Sequence, residues 1–132
     1  RSSLDDPMHE LNQISEKIRD SLFKIHRTLG PGLLESTYEE CLYYDLIENQ
    51  NLKCERQKFL PLRFEKLEIF NAYKVDLLVE NKIILELKAC EKIMPIHKAQ
   101  LLTYMKINQS QLGYLINFNS KLIKDGIHRF VL

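Results

Sequence analysis

The chain has 132 residues, 45% of them hydrophobic, and its 19 lysines and arginines nearly balance 18 aspartates and glutamates, for a net charge of +1. That length suits one compact domain with a real core, and the charge excludes both a global basic field for nucleic acid and a solvating acidic tail, so a charged site must be local. Cys41, Cys54 and Cys90 are odd in number and contain no C-x-x-C pair, which argues against a disulfide framework or a zinc site and fits reduced thiols in a cytoplasmic protein.

The opening "RSSLDDP", residues 1–7 ahead of Met8, reads as a leader or cloning remnant before a single domain over residues 8–132. Asp6 and Pro7 read equally well as the N-cap and first turn of a helix. The N-terminus lacks the apolar core of a signal peptide, and no run of about 18 apolar residues is available to span a membrane. Leu11, Ile14, Ile18, Leu22, Ile25 and Leu29 then recur at steps of three or four, the period of a helix with one buried stripe. "LGPG" stops it, since Pro31 cannot continue the hydrogen bonding and the glycines permit a sharp turn. A second helix is expected from near Leu33 to about Asn49, with Leu34, Tyr38, Cys41 and Leu42 inward and Glu35 half-buried beside them.

From Lys58 the pattern becomes β-rich: "KFLPLRF", "IFNAYKVDLLVE", a turn at Asn81, and "KIILELKA". Pro95 opens a third helix through Ile107, "LGYLINF" is a strand, and "GIHRFVL" supplies a final strand. The expected order is ααβββαβ plus that last strand, a single α/β domain without internal repeats.

In "NKIILELKAC", alternation puts Ile84, Glu86 and Lys88 on one face and Ile83, Leu85 and Leu87 on the other. A hairpin about Asn81 returns this strand alongside Asp76, so two acids and a lysine converge. Such a cluster needs the lysine or a cation to offset repulsion and desolvation, and it suits a Mg²⁺ site with an amine beside the attacking water. A solvated edge strand with alternating charges is the competing reading. "IILEL" and "VDLLV" are too apolar for an open edge, which makes these charges costly to keep without a purpose. Glu35 fits either a site acid or a carboxylate complementing the positive end of its helix.

Other chemistries fit less well. His9, His26, His97 and His128 show no H-x3-H or H-E-x-x-H arrangement, and neither a G-x-S-x-G elbow nor a P-loop is present.

"GPGLLESTYEECL" holds Gly32, Glu35 and Tyr38 in the spacing G-x-x-E-x-x-Y and resembles the motif of the GxxExxY proteins, a group within the PD-(D/E)XK nuclease superfamily. The likeness extends through "YKVDLLVENKIILELKA", "HKAQLLTY" and "LGYLINFN". It implies a restriction-endonuclease-like core, a mixed sheet flanked by helices, and a metal-dependent nuclease acting on DNA or RNA. It also implies metal ligands at Asp76, Glu86, Glu35 and the backbone carbonyl of Leu87, with Mg²⁺ the expected ion and Mn²⁺ able to substitute. Lys88 would act on water, with Glu86 and Asp76, as the catalytic lysine of E-x-K. Gln100 and Tyr104, four apart, resemble the Q-x3-Y motif of RecB-type nucleases, Gln100 close to the catalytic centre and Tyr104, like Tyr38 and Gly32, in support. The alternative is a non-catalytic binding or regulatory module on the same fold. With so little net charge, tight nucleic-acid binding would call for a homodimer or a protein partner.

Overall fold

The computed structural model describes residues 6–132, so residues 1–5 of the expected leader lie outside the described residues. Helix α1 spans Pro7–Leu29. Asp6 caps it, its Oδ1 accepting from Met8 N at 3.0 Å, and Pro7 occupies the first turn where its missing N–H costs nothing. The stripe from Leu11 to Ile25 is buried as its period predicts, while Leu29 at the helix end is exposed.

Helix α2, Glu35–Glu48, starts later than expected because the chain must first round Gly30-Pro31-Gly32, where Gly32 takes φ of 100°, a conformation that favours glycine. Leu34 precedes the helix and is 74% exposed, so the inward stripe is Tyr38, Glu39, Leu42, Asp45 and Leu46, not one that begins at Leu34. Strands β1 (Cys54–Phe64), β2 (Leu67–Val79) and β3 (Ile83–Lys88) follow, then α3 (Pro95–Asn108), β4 (Leu112–Asn117), α4 (Ile123–Gly126) and β5 (Ile127–Val131). β1 begins four residues earlier than its apolar run because Cys54, Glu55 and Arg56 pair with Val79, Leu78 and Leu77.

The five strands form one mixed sheet in the order β1-β2-β3-β4-β5, with β3 and β4 parallel and the other neighbours antiparallel. The β2–β3 hairpin turns at Glu80 and Asn81, both with positive φ, the sense that matches the twist of the flanking strands. β3 is therefore central, and its near-continuous apolar run is explained by burial on both faces. Ile83, Leu85 and Leu87 pack with α1 and α2, while Ile84 packs with Leu78, Leu115 and the α3 residues Leu101 and Met105. α3 seats closely because Gly113 faces it: a Cβ there would lie 2.6 Å from Met105 Sδ. Among the described residues, no helix is long and apolar enough to cross a membrane.

Candidate active site

β2 and β3 pair over Leu77–Val79 and Ile83–Leu85, and the next rung would set Asp76 against Glu86. There the ladder stops and side chains take it over. Asp76 N donates to Glu86 Oε2 at 2.7 Å, and Leu87 N donates to Asp76 Oδ2 at 2.8 Å. Each carboxylate thus satisfies an amide that the splayed strands leave unpaired, which is why two acids are tolerated at the centre of an apolar sheet. Asp76 is also where β2 swivels: Val75 packs on the α3 side and Leu77, two residues on, packs on the α1–α2 side. Gln57, its counterpart on β1, has φ of 50°.

The pair is electrostatically strained. Burial, then the Asp76 charge, pushes the Glu86 carboxyl up to about 8, against the Lys88 charge and the Asp76 amide. Burial, then Glu39 and Glu35, pushes Asp76 up to about 6, while the Leu87 amide and Lys88 pull it down. Glu86 is 8% exposed and Lys88 half-buried, both on the face that Ile84 shares with α3. Among the described residues the Lys88 ammonium has no ion-pair or hydrogen-bond partner, so it remains available to a ligand.

Glu35, the first residue of α2, is exposed and not half-buried, since the helix begins at that residue and its inward stripe runs through Tyr38 instead. Its charge still acts on both Asp76 and Glu86. Tyr38 holds the preceding loop: its hydroxyl donates to Gly30 O at 2.5 Å and accepts from Leu33 N at 3.1 Å, while its ring stacks on Phe118 at 4.3 Å. Gly32 N donates to Asn119 Oδ1 at 3.0 Å. The G-x-x-E-x-x-Y spacing is thus a loop clamp that fixes where α2 and Glu35 begin.

On α3, Tyr104 packs against Tyr73 at 5.5 Å, and burial together with the Glu86 and Asp76 charges raises its hydroxyl pKa. Gln100, one turn earlier, is exposed and makes no hydrogen bond among the described residues. Leu87, expected to offer its carbonyl, meets Asp76 through its amide.

Two neighbours, Glu39 and Gln57, escaped the sequence reading. Glu39 is buried on α2 and accepts from Arg56 Nε and Nη2, each at 3.2 Å, and from Gln57 Nε2 at 2.5 Å. The same Gln57 nitrogen reaches Asp76 Oδ1 at 3.4 Å, so one amide spans the helix acid and the strand acid. The signal for Glu39 was present, since Glu35, Glu39, Leu42 and Leu46 recur at helical steps. Gln57 gave none: a neutral residue on a strand looks like any solvated position.

The sequence profile of the PD-(D/E)XK nuclease superfamily matches residues 12–130. The chain belongs to that superfamily. No curated protein and no solved structure gives a significant match.

PD-(D/E)XK nucleases typically depend on a divalent metal, and the donors here fit one. Asp76 and Glu86 each spend one oxygen on a backbone amide and turn the other toward no strong donor among the described residues. Hard oxygen donors whose mutual repulsion a cation would relieve suit Mg²⁺ or a similar ion. Among the described residues, no group of three or more His, Cys, Asp or Glu side chains is arranged to hold an ion, so the protein-derived donors centre on two carboxylates.

Proposed function

We propose that this domain is a nuclease of the GxxExxY type that hydrolyses phosphodiester bonds of DNA or RNA with Mg²⁺ at the Asp76–Glu86 pair. The observation that carries the reading is the interlocked pair itself, two crowded carboxylates at a break in a central sheet, beside a lysine that has no partner among the described residues. A purely structural pair would be matched by cations, as buried acids elsewhere in the domain are.

Asp76 Oδ1 and Glu86 Oε1 would hold the ion, with Glu35 at the start of α2 adding negative charge to the site from a distance. A bound divalent ion supplies charge neutralisation at the phosphate and lowers the pKa of water. Lys88 orients the attacking water and offsets negative charge as it develops on the phosphate oxygens. Gln100 offers an amide N–H to the phosphate, and Tyr104 walls the α3 side. Glu39, through Gln57, keeps Asp76 oriented.

Cleavage of single-stranded, double-stranded and branched DNA and RNA, with Mg²⁺, Mn²⁺ or chelator, tests the proposal. Metal-dependent cleavage that disappears in Glu86→Gln is expected. No turnover on any substrate with either metal would sink the enzyme and leave the non-catalytic module.

A further inference from the structure

β1 and β2 run on past the rest of the sheet as a two-stranded arm. β3 pairs with β2 only at residues 77–79, and α3 covers the arm as far as Leu60, Tyr73 and Val75. Beyond them, from Pro61 to Asn71, every residue is exposed except the half-buried Leu62. Pairing sets Phe64 opposite Leu67 and Leu62 opposite Ile69, and alternation along β1 carries this face back to Leu60 and Tyr73 on the α3 side. The other face holds Phe59, with the Lys74 ammonium 5.6 Å from its ring centroid, and Phe70, which shares a hollow with Pro61, Arg63 and Glu68. Phe64 is 66% and Phe70 72% exposed, so each side of the arm presents an aromatic ring to water. A bare two-stranded ribbon is marginal in water, and apolar surface concentrated on it marks an interaction site.

Charge and place constrain what fills both faces at once. Between Glu55 and Lys74 the arm carries five basic residues, Arg56, Lys58, Arg63, Lys66 and Lys74, against three acidic ones, Glu55, Glu65 and Glu68. Arg56 is spent on Glu39, Lys58 on Glu55 and Arg63 on Glu68, whereas Lys66 and Lys74 make no ion pair among the described residues. That surplus suits an anion. The α3-side face leads to the candidate site, because Tyr73 packs on Tyr104, whose hydroxyl feels the Glu86 and Asp76 charges. An anion with flat apolar faces of its own is a nucleic acid whose bases are unstacked. Driving a wedge between stacked pairs is costly and is cheapest where pairing already ends. A net charge of +1 brings little phosphate attraction to offset that cost, which favours strands that are already apart. From Leu67 to Tyr73 the arm is about 20 Å long at about 3.3 Å per residue, room for about six nucleotides of a stacked strand.

Resting on the nuclease reading, we propose that the arm is a strand-separating wedge and that the substrate is a fork, a junction of double-stranded and single-stranded nucleic acid. The tip stands between the two strands, Phe64 and Phe70 each stack on bases of one of them, and the strand on the α3 face passes Tyr73 and Tyr104 to the Asp76–Glu86 pair.

Binding and cutting are read separately, so that the wedge and the nuclease can fail independently. In chelator, the wild type should bind splayed-end DNA or RNA duplexes about tenfold or more tightly than blunt duplexes of equal length, and 2-aminopurine placed at the junction should brighten as it unstacks. Phe64→Ala combined with Phe70→Ala should remove the brightening and weaken fork binding about tenfold or more. Tyr44→Ala, which deletes another exposed ring on α2, should change neither. With Mg²⁺, the cut should fall in the single strand beside the junction. Circular dichroism of each variant confirms that folding is retained. Brightening without cleavage in any metal would support the wedge and remove the nuclease reading. Equal binding of fork and blunt duplex, a fork signal that survives the double phenylalanine substitution, or a wild-type dimer that this substitution dissociates would each overturn the wedge, even if the protein cuts.

Discussion

Asp45 on α2 and the Asp76–Glu86 pair between β2 and β3 are carboxylates withdrawn from water in the same small domain, yet their neighbours act on them in opposite senses. Asp45 receives Ser21 Oγ at 2.6 Å, Asn49 Nδ2 at 2.5 Å and the Lys24 ammonium at 2.5 Å. Burial pushes its carboxyl up, but these donors outweigh that and hold it below the usual carboxylate range. Asp76 and Glu86 have each other, Glu35 and Glu39 as charged neighbours, one lysine that makes no ion pair among the described residues, and backbone amides, and both are held well above that range. A buried acid that closes its own hydrogen bonds serves the fold. An acid pair left short of positive charge keeps a place for something that brings it.

The strongest way to break this contrast is substitution at the pair. Asp76→Asn, Glu86→Gln and Lys88→Ala should each lower single-turnover cleavage about a thousandfold or more. In chelator, Glu86→Gln should melt no lower than wild type, because it removes a repelling charge and keeps the shape. A Glu86→Gln protein destabilised with and without metal would show the pair to be structural after all.

Metal addition comes next in size. At a hundredfold excess over Kd, Mg²⁺ should stabilise the wild type by about 2.7 kcal/mol in thermal or urea unfolding and leave Glu86→Gln unmoved. Asp45→Ala should do the converse, costing about 1 to 3 kcal/mol by stranding Ser21 and Asn49. Its response to Mg²⁺ should remain that of the wild type, and a lost metal response would erase the distinction between the two acids.

The two clusters should also respond to pH with opposite signs. Glu86 holds its proton to about 8 in the fold against 4.5 when unfolded, so its contribution to stability is complete below 4.5 and is lost as pH rises toward about 8. Asp76 behaves likewise between 3.8 and about 6. Asp45, held low, contributes above 3.8 and loses that contribution as pH falls through its lowered folded value. Chelated protein should therefore lose stability from pH 5 to 8 with a slope of at most about 1.4 kcal/mol per pH unit and group, and Glu86→Gln should flatten it. A stability that rises over this window in chelator would contradict the strained pair.

Much of this molecule is readable along the chain because its signals are local and periodic. The α1 stripe, the Gly-Pro-Gly stop, the turn at Asn81 and the apolar run of β3 each depend on neighbours within a few residues, and they set the element order and put Asp76 beside Glu86. Tertiary structure alone decided the rest. The splay that turns a hairpin rung into two carboxylate-capped amides, the swivel that separates Val75 from Leu77, the exposure of Leu34 and Glu35, and the Gln57 bridge from Glu39 to Asp76 depend on how twisted strands and α2 meet in space. A residue's period reports which face it occupies. It does not report which distant group shares its hydrogen bonds, because that is set by packing between segments far apart in the chain.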